Sequence, residues 1–254
     1  MFNVAGATHK GTVKVINEDH LLINGKILNE GFVEIHSDKI VAVVADGVSG
    51  EDGGNIASKK AVEVFQTLKD KPINGSNVYD AFSTAHQELR KFTNFPNMAT
   101  TIAGCVMDHD NSIIFNVGDS KVYLYKFGAL RQISLDHTTA SELLRQGIEN
   151  DVNPHQLSRF LGGKEQFSEP EIKENAGKIK GTQNYMLICS DGLTDFVKLE
   201  FIEKVLESDK SLLDKTKTLI ALAIKCKTTD NVSVILVEWK EDAQDEWLCK
   251  NTYR

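Results

Sequence analysis

Three apolar runs in this chain end in the same way. Residues 41–47 read V-A-V-V-A-D-G, residues 113–120 read I-I-F-N-V-G-D-S, and residues 185–192 read Y-M-L-I-C-S-D-G. A continuous apolar run of this length is a strand buried on both faces. Asp46, Asp119 and Asp191 then stand where the strands emerge, each beside a glycine that permits a sharp turn or a close backbone approach. One Asp beside a Gly is ordinary turn punctuation. Three of them, each following a buried strand, predict carboxylates gathered at one edge of a core, and such a cluster needs a counter-ion.

Short strands and blocks of helix surround these three runs. Residues 2–8 read as a first strand, closed by His9-Lys10-Gly11, and residues 21–28 as another. Residues 31–37 read as a hairpin leading into the strand that ends at Asp46. A loop over 48–54 precedes an amphipathic helix over 55–69, with Ile56, Val62, Phe65 and Leu68 near helical spacing. A second helix covers 77–92, with Val78, Phe82, Ala85 and Leu89 on one stripe; its His86 reads as an exposed or half-buried helix residue rather than a ligand. Strands over 98–107 and 112–117 flank Asp108-His109-Asp110-Asn111. That turn is a hairpin rather than a calcium loop, because Ile113 stands where the loop needs glycine. Residues 121–127 form a further strand.

Residues 135–163 differ in character. A short helix over 140–146 is stopped by Gly147, and another turn or two of helix is expected over 154–160. Polar, irregular insertions between strands are often flaps that carry specificity. Strands resume over 172–176 and 185–189, helices over 199–206 and 212–224, and a last strand over 232–239 precedes a polar tail, 240–254. Antiparallel runs of strand interrupted by helices predict an α+β layered domain rather than a βαβ winding.

The chain's 254 residues suffice for one large domain with a sizeable core. A formal net charge of −7 disfavours nucleic acid and anionic membranes as partners. No apolar run approaches the roughly 18 residues of a membrane span, and the N-terminus shows no signal segment. The four cysteines have no zinc-like spacing, so a reduced, cytoplasmic protein is expected.

Glu18, Asp19, Asp46, Asp119, Asp191, Asp195 and Asp230 sit at strand ends or in glycine-rich turns. So many carboxylates without a cation would cost several kcal/mol in repulsion and desolvation. A set made of oxygen donors, with no cysteine or histidine pair, points to Mg²⁺ or Mn²⁺.

The motifs N-E-D (17–19), V-A-D-G (44–47), M-A-T-T (98–101), V-G-D-S (117–120), C-S-D-G-L-T-D (189–195) and D-N-V-S-V (230–234) resemble, in order and spacing, the type 2C family of metal-dependent serine/threonine protein phosphatases. The resemblance covers residues 1–238 and is closest to bacterial members. It implies a four-layer α-β-β-α sandwich of two antiparallel sheets, a phosphatase domain over 1–239, and metals at one end of the sheets. Asp46 resembles the carboxylate that bridges two ions. The Gly47 carbonyl and Glu18 would serve the second ion, and Asp191 and Asp230 the first. Asp19 resembles the acid that orients the metals' water, and Asp119 with Asp191 and Asp195 a weaker third site. Arg159 and His137 fall in the segment that corresponds to a substrate-contacting flap. Three positions depart from the bacterial pattern: Lys14 replaces an arginine expected to contact phosphate, Val48 follows the Asp-Gly, and Lys121 replaces the arginine of Gly-Asp-Ser-Arg.

The resemblance implies hydrolysis of phosphoserine and phosphothreonine on proteins by a water activated between two ions, with a cognate serine/threonine kinase as counterpart. Two alternatives are a non-catalytic phosphatase-like regulatory or binding module and a phosphatase of a small phosphorylated metabolite. The complete set of acids argues against the first, and the long flap against the second.

Overall fold

The computed structural model describes residues 1–48, 53–149, 151–163, 166–174 and 184–239. The 240–254 tail and part of the 48–54 loop lie outside these residues. The strands are β1 (Phe2–His9), β2 (Asp19–Ile23), β3 (Lys26–Leu28), β4 (Gly31–Ser37), β5 (Ile40–Asp46), β6 (Ala99–Thr100), β7 (Ile102–Met107), β8 (Ser112–Val117), β9 (Lys121–Lys126), β10 (Ala129–Gln132), β11 (Leu161–Gly162), β12 (Glu171–Glu174), β13 (Asn184–Cys189) and β14 (Val232–Trp239). The helices are α1 (Gly54–Phe65), α2 (Gly75–Arg90), α3 (Thr139–Arg145), α4 (Asp191–Thr194), α5 (Leu199–Glu207) and α6 (Leu212–Lys225).

Two six-stranded sheets carry the fold, in the orders β10-β9-β13-β14-β1-β4 and β12-β8-β7-β5-β2-β3. Every pairing within them is antiparallel. The period-two pleat sorts the side chains into three cores. On β5, Ile40, Ala42 and Val44 face the opposite sheet, where they meet Met186, Ile188, Ile235 and Val237. Val41, Val43 and Ala45 face outward, onto Ala57, Ala61, Val62 and Phe65 of α1 and Phe82 and Ala85 of α2. The other sheet turns Tyr185, Leu187, Val234 and Leu236 outward onto α5 and α6. Helices, sheet, sheet and helices therefore form the expected four layers, and the continuous apolar runs are apolar because both faces are covered.

Several local readings are corrected. Residues 31–37 do not form a hairpin with the strand ending at Asp46: β4 crosses to the other sheet and pairs with β1, from Phe2↔Ser37 to Thr8↔Gly31. The hairpin is instead β2–β3, turned at Asn24-Gly25, where both residues have positive φ. Residues 98–107 are two strands separated at Thr101. Its amide donates to the Asp46 carbonyl at 2.8 Å, and its hydroxyl lies 2.7 Å from Ser120 Oγ. Residues 154–160 contain turns and an isolated bridge, Leu157 to Thr138, rather than helix. His86 is buried, and its Nδ1 accepts from the Gly162 amide at 3.3 Å.

Phe65 anchors the α1–α2 layer to its sheet. Its ring meets Phe82 edge-on at 4.8 Å and Phe115 at 5.4 Å, and all three are fully buried. Phe65→Ala is expected to cost about 3–5 kcal/mol, read as a lower urea midpoint at unchanged slope. A loss below about 1 kcal/mol would show that these rings do not anchor the layer.

Candidate metal centre

The acids converge because the strands that deliver them are neighbours or face one another. Asp19 begins β2 and Asp46 ends β5, and the two are direct register partners. Asp191 begins α4 immediately after β13 and Ser190, and Asp230 precedes β14, which is paired with β13. Asp119 lies in the β8–β9 turn.

Glycines let the backbone close around this edge. A Cβ on Gly47 would run into the backbone of Gly54, and one on Gly54 would stand 2.6 Å from Glu18 Oε1. The Glu18 side chain is thereby packed against the first residue of α1. A Cβ on Gly192 would strike the carbonyl of Asn231.

A polar network fixes the acids from behind. Asp19 Oδ2 accepts from Ser190 Oγ at 2.9 Å, and Ser190 Oγ in turn accepts from the Ser233 amide at 3.0 Å. Asn231 clamps three segments: its Oδ1 accepts from the Glu18 amide at 2.9 Å, and its Nδ2 donates to the carbonyls of Lys10 and Ile16 at 2.9 and 3.0 Å. The Asp46 carbonyl accepts from Thr100 Oγ1 at 2.8 Å. Sequence reasoning missed the serines and Asn231, because a polar residue beside an acid carries no signal until its partners are known.

The electrostatics are those of a site built for positive charge. Burial pushes the Asp46 carboxyl well above its ordinary value, and Asp19, Asp191, Asp230 and Asp119 add to the shift. Burial, with neighbouring acids, takes Asp19 and Asp119 up to about 7 and Asp191 to about 6, against an ordinary 3.8. Asp19 Oδ1 and Asp191 Oδ1 are buried with no hydrogen-bond partner. Oxygen donors, orphaned buried carboxyl oxygens and mutual repulsion fit divalent cations.

Two lysines supply part of the missing charge. Lys14 Nζ stands 3.3 Å from Asp230 Oδ1. Lys121 Nζ donates to the Asp119 carbonyl at 3.0 Å and lies 3.8 Å from Asp136 Oδ2. Burial opposes the charge on Lys121, but Asp136 and Asp119 outweigh it and its pKa is raised.

The flap residues are placed differently from expectation. His137 is 2% exposed. Its Nδ1 accepts from the Gly118 amide at 3.2 Å, and its own amide donates to the Gly118 carbonyl at 3.0 Å. It therefore bolts the base of the flap to the Asp119 turn and is not open to substrate. Burial and the Arg159 charge lower its pKa to about 4, so the ring is neutral. Arg159 reaches Glu142 Oε1 at 3.1 Å and the Glu169 carbonyl at 3.4 Å, tying α3 to the flap's return. Asp195 does not join Asp119 and Asp191 in one ligand group; His155 does, with one donor atom from each of the three lying within 4.8 Å of the others. Asp195 instead lies behind His155, its Oδ2 3.3 Å from the ring's Nδ1. No spacing in the sequence pointed to a lone histidine in a polar loop.

Among the described residues, no helix is long and apolar enough to cross a membrane.

Known proteins similar to this chain in sequence or fold are numerous. The chain is 29% identical over 249 residues to the serine/threonine phosphatase Stp of Listeria monocytogenes, covering 91% of this chain and 93% of that protein. It is 28% identical over 220 residues to protein phosphatase PhpP of Streptococcus pneumoniae, covering 80% and 87%. Its fold matches the serine/threonine phosphatase of S. agalactiae with a TM-score of 0.80 at 23% identity, over 95% of this chain and all of that one. It also matches the catalytic domain of the phosphatase PstP in complex with two manganese ions, with a TM-score of 0.74 at 23% identity, over 95% and 100%. Residues 5–232 match the family described as protein phosphatase 2C, and the chain belongs to that metal-dependent family of serine/threonine protein phosphatases.

Proposed function

We propose that the acids at the sheet edge hold two divalent cations, Mn²⁺ or Mg²⁺, for hydrolysis of phosphoserine and phosphothreonine on proteins. The observation that carries this reading is the orphaned, mutually repelling carboxyl set centred on the Asp19–Asp46 pair. Asp46 would bridge the cations, with Glu18 and the Gly47 carbonyl on one side and Asp191 and Asp230 on the other. Bound there, the cations would activate a water and neutralise charge on the phosphoryl oxygens.

The chain's own groups do the positioning. Ser190 holds Asp19 Oδ2, which leaves Oδ1 to accept a hydrogen bond from the attacking water. Lys14, 3.3 Å from Asp230 Oδ1, would meet a phosphoryl oxygen as a point charge, with fewer directional contacts than an arginine. Cys105 and Cys189 are buried thiols with pKa values pushed up to about 12 by burial, unsuited to nucleophilic attack. Cys105, Cys189 and Cys226 are all free, which supports a reducing, cytoplasmic location. Phosphoprotein substrates require a kinase that makes them, so a cognate serine/threonine kinase is part of the proposal. The domain is taken as residues 1–239, with residues 135–163 as its flap and 240–254 as an appended tail.

Replacing the bridging acid tests the assignment most directly. Asp46→Asn keeps the side-chain volume and removes one repelling charge. Turnover of a phosphothreonine peptide is expected to fall to near background, while the chelator-treated protein becomes no less heat-stable. Substantial Mn²⁺-dependent turnover in this variant would remove Asp46 from the centre.

Metal removal has a pH signature. Carboxyls at about 6–7 when folded and about 4 when unfolded favour the folded state most below pH about 4. That contribution is lost as pH rises through about 6–7. With chelator, Tm is expected to be lower at about pH 8 than at about pH 5.5, and Mn²⁺ to raise it more at the higher pH. A chelated Tm that rises over this interval would contradict the charge-cluster account.

For Lys14→Ala, loss of a charge-assisted hydrogen bond of about 1.5–3 kcal/mol predicts a roughly 10- to 150-fold fall in kcat/KM. Lys14→Arg is expected to equal or exceed the parent. Steady-state kinetics on one phosphothreonine peptide decide this, and an alanine variant equal to the parent would confine Lys14 to its ion pair with Asp230.

A further inference from the structure

We propose that His155 is a cation ligand carried by the flap: together with Asp119 and Asp191 it completes a site beside the main pair, so that a transition-metal ion holds the flap down over the centre. This rests on the reading of the sheet edge as a divalent-cation centre.

Three separate parts of the fold deliver the donors. Asp119 comes from the β8–β9 turn, Asp191 from the first residue of α4, and His155 from the return arm of the flap. One donor atom from each lies within 4.8 Å of the other two. Two ligands on opposite sides of an ion at about 2.1–2.2 Å are about 4.2–4.4 Å apart, so a small side-chain adjustment brings all three onto one ion.

The arm that carries His155 is built rather than loose. The His155 amide donates to Asn153 Oδ1 at 3.0 Å, the Gln156 amide donates to the Asn153 carbonyl at 3.1 Å, and the Thr139 amide donates to the Gln156 carbonyl at 2.8 Å. The Ser158 amide donates to the His137 carbonyl at 2.9 Å, and His137 is itself bolted to Gly118, next to Asp119. The flap and the Asp119 turn are thus one connected unit on either side of the site.

Two further observations point to a ligand. Asp191 Oδ1 is buried with no hydrogen-bond partner, and Asp119 is 8% exposed. Asp195 Oδ2 stands 3.3 Å from His155 Nδ1. A carboxylate on one ring nitrogen is the usual support of a ligating histidine, because it orients the ring and raises the basicity of the other nitrogen. An ion pair alone would explain less: His155 is 58% exposed, and pairs at that exposure contribute little. It would also leave unexplained why the ring approaches two further acids from other elements.

The donor set carries a selectivity. Mg²⁺ favours oxygen ligands, whereas imidazole suits Mn²⁺ less strongly than the later transition metals but better than it suits Mg²⁺. Flap closure should therefore respond to Mn²⁺ more than to Mg²⁺.

The test combines calorimetric Mn²⁺ titration with limited tryptic cleavage after Arg145, an exposed residue at the end of α3. The parent should bind a tight Mn²⁺ pair and one weaker ion, and that weaker ion should slow cleavage, Mg²⁺ doing so less. His155→Ala, a change at an exposed position, should keep the tight pair. It should lose the weaker ion and need roughly tenfold or more Mn²⁺ for the same protection. Asp195→Asn, which removes the support of the ring but leaves the three donors, should still bind the weaker ion but with lower affinity. An affinity equal to the parent's would count against a supported His155 ligand. A His155→Ala protein with the parent's Mn²⁺ stoichiometry and protection would overturn this inference alone. A parent that binds no tight pair would overturn it together with the reading of the centre.

Discussion

Like charges held at one buried edge are the constraint to which the rest of the molecule answers. Moving the Asp19 carboxyl from 3.8 to about 7 corresponds to charge disfavoured by on the order of 4 kcal/mol, and Asp46, Asp119 and Asp191 are raised in the same direction. A loose scaffold would relieve this by swinging the acids into water. Here they cannot swing, because they start or end strands whose apolar residues are packed on both faces. The folding free energy of the sandwich holds the acids together, and a cation then gains from charge that has already been concentrated.

The polar scaffold behind the acids converts that concentration into geometry. Asn231 joins Glu18 to the loop ends at Lys10 and Ile16, and Ser190 joins Asp19 to β14. Each bond spans segments far apart in the chain, so the centre forms only when both sheets are in register. Glycines at 47, 54 and 192 contribute by what they lack, since a Cβ at 47 or 192 would collide with backbone across the centre and one at 54 with the Glu18 carboxylate. Lys14 pairs with the Asp230 carboxylate, whereas Lys121 donates to the Asp119 backbone carbonyl and pairs with Asp136.

The flap belongs to the same mechanical unit. His137 is buried and hydrogen-bonded through ring and backbone to Gly118, so the flap's base cannot shift without moving the Asp119 turn. Arg159 bonds the flap's own two arms. A flap rigid at its base and exposed along α3, where Leu144 is 69% exposed, suits a surface that meets a protein rather than a small metabolite.

What was legible in the sequence was whatever local chemistry dictates. Apolar runs ending in an Asp beside a Gly specify buried strands with carboxylates at their tips, and the helical stripes of α1 and α2 follow from spacing alone. The motif order was enough for the family, and with it the two facing sheets. Pairing and proximity were decided only in the tertiary structure. Nothing local says that β4 joins β1 rather than β5, because an exposed strand of alternating polarity fits either sheet edge and only the crossover geometry chooses. Nor could the sequence separate His137 from His155: both are histidines in a polar segment, and their roles diverge because the packed flap turns one ring into the fold against Gly118 and the other outward among Asp119, Asp191 and Asp195.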